Sequence, residues 1–257
     1  MPARLRPVLP VLAITLVLGV AWTVADWPRL SRLLLPDTDD AMRLQQIRDW
    51  IGGQAFGDVS QHRLAGGLPM HWSRIGDLIP ATLILLLRPV SGATAAEVAA
   101  VVIWPLAQFA VLLGLVRDLT RRFAPAAGPT ALVLAAIAYP ASSLFLPGRI
   151  DHHALQLLLV LAQLRAMLAP ADYRSGAVAG GAVAIGAAIG LETLPFAVVT
   201  GAIVIVERWR GDGHRQTGFG LALTIGLIAL APMSARGGAC DTIQPLMPYA
   251  AATGLVL

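Results

Sequence analysis

Long apolar runs dominate this chain, and they limit it to structures that can bury them. Ala95–Val116 is the clearest: 22 residues that lead straight into Arg117-Asp118-Leu119-Thr120-Arg121-Arg122. At helical rise it reaches about 33 Å, enough to cross a bilayer core of about 30 Å. Comparable runs cover Pro7–Ala25, Thr130–Leu146, Ala154–Leu168, Gly176–Val206 and Thr217–Ala235. Hydrophobic residues make up 56% of the chain, charged residues only 13%, and the mean hydropathy is +0.70. The expectation is an all-α, polytopic helical membrane protein with about seven or eight membrane helices, forming a single transmembrane domain over 1–257.

The charges then set topology. All 19 basic side chains are arginine, and they fall between the apolar runs rather than in one patch. That pattern reads as loop anchoring and argues against a nucleic-acid partner. Arg4 and Arg6 precede the first run and put the N-terminus in the cytoplasm. The first exterior loop then covers 26–92. Within it, Asp39–Ile51 reads as an amphipathic helix with Met42, Ile47, Trp50 and Ile51 on its apolar face, capped by Asp37 or Thr38. Ile75–Leu87 is short and contains Pro80, so it is expected to lie in the interface. Gly176–Val206 is long enough for two helices turned at Glu192-Thr193-Leu194-Pro195, which also keeps the basic stretch Glu207–Arg215 cytoplasmic. The last apolar run, from Pro245, is too short to span, so the chain is expected to be truncated at its C-terminus. The single cysteine, Cys240, has no internal partner for a disulfide.

Two clusters carry the chemistry. Asp37-Thr38-Asp39-Asp40 places three carboxylates within four positions, in the Asp-x-Asp pattern that hard divalent cations such as Mg²⁺ or Mn²⁺ favour. The same residues also suit the start of a helix, whose free N–H groups favour carboxylates. Asp151-His152-His153 follows Pro147-Gly148 at the end of an apolar run, and Asp151 and His153 can reach one metal. Glu192 is an ionisable residue within an apolar stretch, hence a functional candidate or a turn cap. His71, beside Trp72, can contact a sugar or lipid head group or belong to an aromatic belt. Nucleotide-binding, Gly-x-Ser-x-Gly and His-Glu-x-x-His motifs do not occur.

The stretch Asp39–Gly53, with Arg48-Asp49-Trp50-Ile51-Gly52-Gly53 at its end, resembles the first exterior loop of the catalytic subunit of bacterial and archaeal oligosaccharyltransferases. Gly148-Arg149-Ile150-Asp151-His152-His153 is similar to that family's second acidic motif. The resemblance covers roughly residues 1–170. It implies a membrane glycosyltransferase of the GT-C type in a bacterial inner (plasma) membrane. Its implied donor is a lipid-linked sugar on a polyprenyl phosphate or pyrophosphate, and membrane lipids surround it. It also implies that Asp39 is a metal ligand near the acceptor, with Asp37 as an alternative base, and that Asp151 and His153 are metal ligands. The resemblance assigns no role to Arg149, His152 or Glu192; in a site of that kind Arg43 or Arg149 would meet donor phosphate, with His71, His152 and Glu192 as further substrate-contacting candidates. The family's Trp-Trp-Asp-Tyr-Gly motif is absent from the sequence. The acceptor is therefore open between protein, lipid and polysaccharide. A transporter and a non-catalytic assembly protein are the competing readings. A transporter would gather its polar groups near the bilayer midplane.

Overall fold

The computed structural model describes residues 8–63, 67–70, 72–211 and 213–233. It is helical almost throughout and divides into two compact units, Met1–Gly52 with Asp77–Leu158, and Gly53–Gly76 with Leu159–Leu257.

The first unit is built on α5 (Ala93–Phe123), against which α1 (Leu9–Ala25), α4 (Leu78–Ser91) and α6 (Gly128–Ile137) pack. The short α2 (Trp27–Leu30) follows α1. Only Gly92, at φ 81°, separates α4 from α5, a left-handed turn residue that glycine adopts without a Cβ clash. Pro80 falls in the first turn of α4, where its missing N–H has no partner to lose. The run expected over Thr130–Leu146 is broken into α6 and α7 (Tyr139–Ser142), bent by 66°. Pro140 sits at that break; it cannot donate to the preceding turn, and its ring would clash with that turn's carbonyl.

Asp37 caps α3 (Thr38–Ile51): it is extended, and its Oδ1 accepts the Asp39 N–H at 3.4 Å. The buried face of α3 is Asp40, Arg43, Leu44, Gln46 and Ile47. The expected apolar face is therefore corrected in part. Ile47 is buried, but Met42, Trp50 and Ile51 are only partly so, because the stripe at i, i+3, i+4 and i+7 begins on Asp40 and includes two charges. Leu44 and Ile47 join Ala81, Ile84, Ala96, Ala100, Val101 and Ile150 in one core. The same core thus links α3, α4 and α5 to the segment that carries the second acidic motif.

The second unit contains a two-residue ladder, β1 (Ser60–Gln61) antiparallel to β2 (Leu68–Pro69). It also holds the helices α9 (Tyr173–Ile189), α10 (Leu194–Trp209) and α11 (His214–Leu230). A 3-10 turn over Leu191–Thr193 separates α9 from α10, as the two-helix reading of Gly176–Val206 expects. At Gly176, Gly180 and Gly218 a Cβ would run into the backbone of the facing helix, so α9 and α11 meet at main-chain distance. Beside them, buried Arg215 donates to Ser175 Oγ, Glu207 and the Ala169 carbonyl.

The helix α8 (His153–Met167) runs out of the second acidic motif. Among the described residues, α5 alone is a single helix long and apolar enough to cross a membrane. The bent pair over 125–145 adds a second candidate, and α1 and α8 are apolar but shorter. His71, Cys240 and the run from Pro245 lie outside the described residues.

Candidate functional site

The two clusters singled out in the sequence meet in the first unit. Gly148, at φ 92°, lets the chain turn and donates its N–H to the Val101 carbonyl at 2.8 Å. A Cβ there would lie 2.9 Å from Pro36 Cδ, so the glycine also sets how closely the segment approaches the start of α3. The next residues then run over Asp40. Its Oδ1 accepts the N–H of Ile150 at 2.8 Å and of Asp151 at 2.9 Å. One fully buried carboxylate thereby satisfies two buried backbone donors.

Arg43, one turn further along α3, is also fully buried. Its Nη1 donates to Asp77 Oδ1 at 2.8 Å, and its Nε to Asp151 Oδ1 at 3.4 Å. Its Nη2 lies 2.8 Å from His152 Nδ1. Arg149, at 22% side-chain exposure, reaches out to Asp37 Oδ2 and to Asp40 Oδ2, both at 3.1 Å. The contact with Asp40 is a charge attraction without hydrogen-bond alignment. Asp37, Asp40, Asp77 and Asp151 therefore gather around two guanidinium groups in one small region, an excess of negative charge that suits a cation.

Asp151, His152 and His153 present one ligand atom each, all within 4.8 Å of one another. His152 Nδ1 lies 2.7 Å from Asp151 Oδ1, and His153 Nδ1 contacts Asp151 Oδ2. The two imidazoles stack with centroids 4.5 Å apart. Asp151 and His152 are buried, whereas the His153 side chain is 47% exposed, so the cluster opens to its surroundings on one side. This donor set of one carboxylate and two imidazole nitrogens fits a divalent ion.

The carboxylates differ in acidity for identifiable reasons. Burial pushes Asp40 up to about 6, against the charge of Arg149 and the two backbone N–H groups. Burial also acts to raise Asp151. Hydrogen bonds to His152 and His153, with the charges of His152 and Arg43, outweigh it and hold the group well below the usual carboxylate range. Asp37 is lowered by its hydrogen bonds from Arg149 and the Asp39 N–H.

Of the candidate residues, the structure gathers Asp37, Arg43, Arg149, Asp151, His152 and His153 into one network, with Asp39 in the first turn of the same helix. Glu192 is exposed on the 3-10 turn of the second unit. Sequence reasoning counted Asp40 in the acidic cluster without giving it a role of its own, and left out Asp77. Asp77 stands immediately before the apolar helix α4, the same signal that singled out Glu192. The partner of Arg48 was also missed: it binds Glu97 of α5 through two contacts of 3.0 and 2.6 Å. Compared with protein-family models, with curated proteins and with solved structures, the chain finds no match.

Proposed function

We propose that this chain is a membrane glycosyltransferase of the GT-C type, acting on a polyprenyl-phosphate or -pyrophosphate sugar at the periplasmic face of a bacterial inner membrane. The observation that carries this reading is the meeting of the first-loop helix with the Gly148–His153 segment, through Asp40 and Arg43. That pairing is what the resemblance requires of two motifs more than a hundred residues apart. In this reading α1, α5 and the helices after it cross the bilayer. Arg117, Arg121 and Arg122 lie at the cytoplasmic end of α5, and α3 rests at the outer surface.

Asp151 and His153 would hold a divalent ion, and that ion would supply positive charge to stabilise the leaving phosphate. Transfer forms the bond from the acceptor to the anomeric carbon of the sugar and breaks the bond from that carbon to the phosphate oxygen. The electron pair leaves with the phosphate. The acceptor proton passes to a carboxylate, for which Asp39, partly exposed in the first turn of α3, is the candidate. Asp37 is committed to Arg149 and the helix cap, which makes it the weaker base. Arg43 is saturated by buried partners and acts on the site through them. Arg149 is the guanidinium with exposed surface, and it is the one assigned to donor phosphate.

The test is turnover in reconstituted vesicles with a radiolabelled polyprenyl-phosphate sugar and a mixed acceptor pool. Chelator and Asp151→Ala are each expected to abolish release of polyprenyl phosphate. Absent turnover across donors would return the chain to the transporter or assembly readings, and turnover indifferent to both would refute the metal site within the transferase reading.

A further inference from the structure

We propose that the Asp151–His152–His153 cluster takes a nitrogen-preferring divalent ion of the zinc type, through Nδ1 of both imidazoles and the Asp151 carboxylate, in preference to magnesium. This rests on the metal-site reading above and narrows it. It also assigns His152, which the resemblance leaves without a metal role, as a ligand.

Three observations carry the inference. First, two of the three converging donor atoms are nitrogens. Magnesium selects oxygen, keeps much of its water and gains little from imidazole. At mixed nitrogen and oxygen sites affinity rises from manganese through the later first-row ions, and zinc commonly takes three protein ligands with one position open. The open side here is the exposed flank of His153.

Second, His152 Nδ1 faces two partners with opposite demands. Arg43 Nη2, at 2.8 Å, can only donate, while the ionised Asp151 Oδ1, at 2.7 Å, can only accept. A protonated Nδ1 opposes the arginine, and an unprotonated one opposes the carboxylate. A cation between nitrogen and carboxylate removes the conflict, since both lone pairs then face positive charge. Arg43 retains Asp77 as its partner. Third, the two rings stack with planes 25° apart. The stack brings the Nδ1 atoms of both rings to the one Asp151 carboxylate.

The experiment uses the full chain in detergent, without a histidine tag and stripped by chelator, titrated calorimetrically with Zn²⁺ alone and with Mg²⁺ alone. Zn²⁺ is expected to bind at least about 100-fold more tightly than Mg²⁺. His152→Ala and His153→Ala are each expected to weaken Zn²⁺ binding by roughly tenfold or more, on the scale of losing part of a metal's coordination environment. His153→Gln, at an exposed side chain, repeats the test where folding is not at risk. Equal affinities for the two ions, no Zn²⁺ binding, or unchanged Zn²⁺ affinity in both His153 variants overturns the proposal. The outcomes separate from those of the transferase assay. Zinc binding without sugar transfer refutes the transferase alone, and transfer supported by Mg²⁺ with no zinc preference refutes the zinc assignment alone.

Discussion

Asp40 is the residue whose replacement tests the architecture most directly. Its Oδ1 is the acceptor for two buried backbone N–H groups, those of Ile150 and Asp151. Asp40→Ala removes that acceptor and leaves the two donors facing a fully buried gap closed to bulk water. An orphaned buried donor costs about 1–3 kcal/mol, so two cost roughly 2–6 kcal/mol. For a chain of this size that corresponds to a fall in Tm on the order of 10 °C. Asp40→Asn keeps an oxygen in place and gives up only the charge. The charge itself contributes little, because burial already drives the pKa up to about 6. At about pH 4, where the folded parent's carboxyl is protonated, the asparagine variant is therefore expected within about 1 kcal/mol of the parent, its amide oxygen standing in for the carboxyl oxygen. Thermal unfolding in detergent, followed by near-ultraviolet circular dichroism, measures both. The reasoning is refuted if the alanine variant unfolds with the parent, or if the asparagine variant is as damaged as the alanine one.

The same group predicts a pH dependence. The folded state binds its proton more tightly than an unfolded aspartate with a pKa of 3.8, so its ionisation costs stability as pH rises from about 4 to about 6 and adds no slope above that. Unfolding free energies of parent minus Asp40→Asn should fall across that window, and a flat difference would contradict the shift. Arg43→Ala strips partners from fully buried Asp77 and from Asp151, and is expected to cost about 3–5 kcal/mol; Arg48→Ala, at a partly exposed pair with Glu97, should cost under about 1 kcal/mol. Denaturant titration of the two side by side checks the contrast. Gly148→Ala forces a residue with a side chain to φ 92° and presses a Cβ on Pro36, so a loss of roughly 1–3 kcal/mol is expected, again by denaturant titration. Gly180→Leu should part α9 from α11 and lower Tm, while Gly181→Leu, in open space, should leave it nearly unchanged.

The helix of the first loop and its aspartate cap were legible in the sequence, because capping is local and reads from a few adjacent residues. The division of Gly176–Val206 was legible from length and charge parity. The inward turn of Asp40 was not. It depends on the rotation of α3, and the apolar pattern that usually fixes rotation is spoiled here by Asp40 and Arg43 on the inward stripe. Charges read as outward until their partners are known, and those partners, Ile150, Asp151 and His152, come from far along the chain. Asp77 escaped for the same reason. The proline break at Pro140 was hidden inside a run whose composition alone was suited to one continuous helix.

The guanidinium of Arg43 has a consequence for the order of synthesis. Its first partner, Asp77, lies 34 residues downstream and its second, Asp151, 108 residues downstream. At about 5–20 residues per second, the second partner leaves the ribosome several seconds to tens of seconds after the arginine. Until then Arg43 has Asp77 but neither Asp151 nor His152, and docking the inward face of α3 would bury its Nε and Nη2 donors without the partners they have in the finished fold. The nascent chain is thus held back from closing its first loop until the later segment has been made. A ribosome that stalls between the two would release a chain with this face still undocked, an open form that proteases and chaperones can recognise.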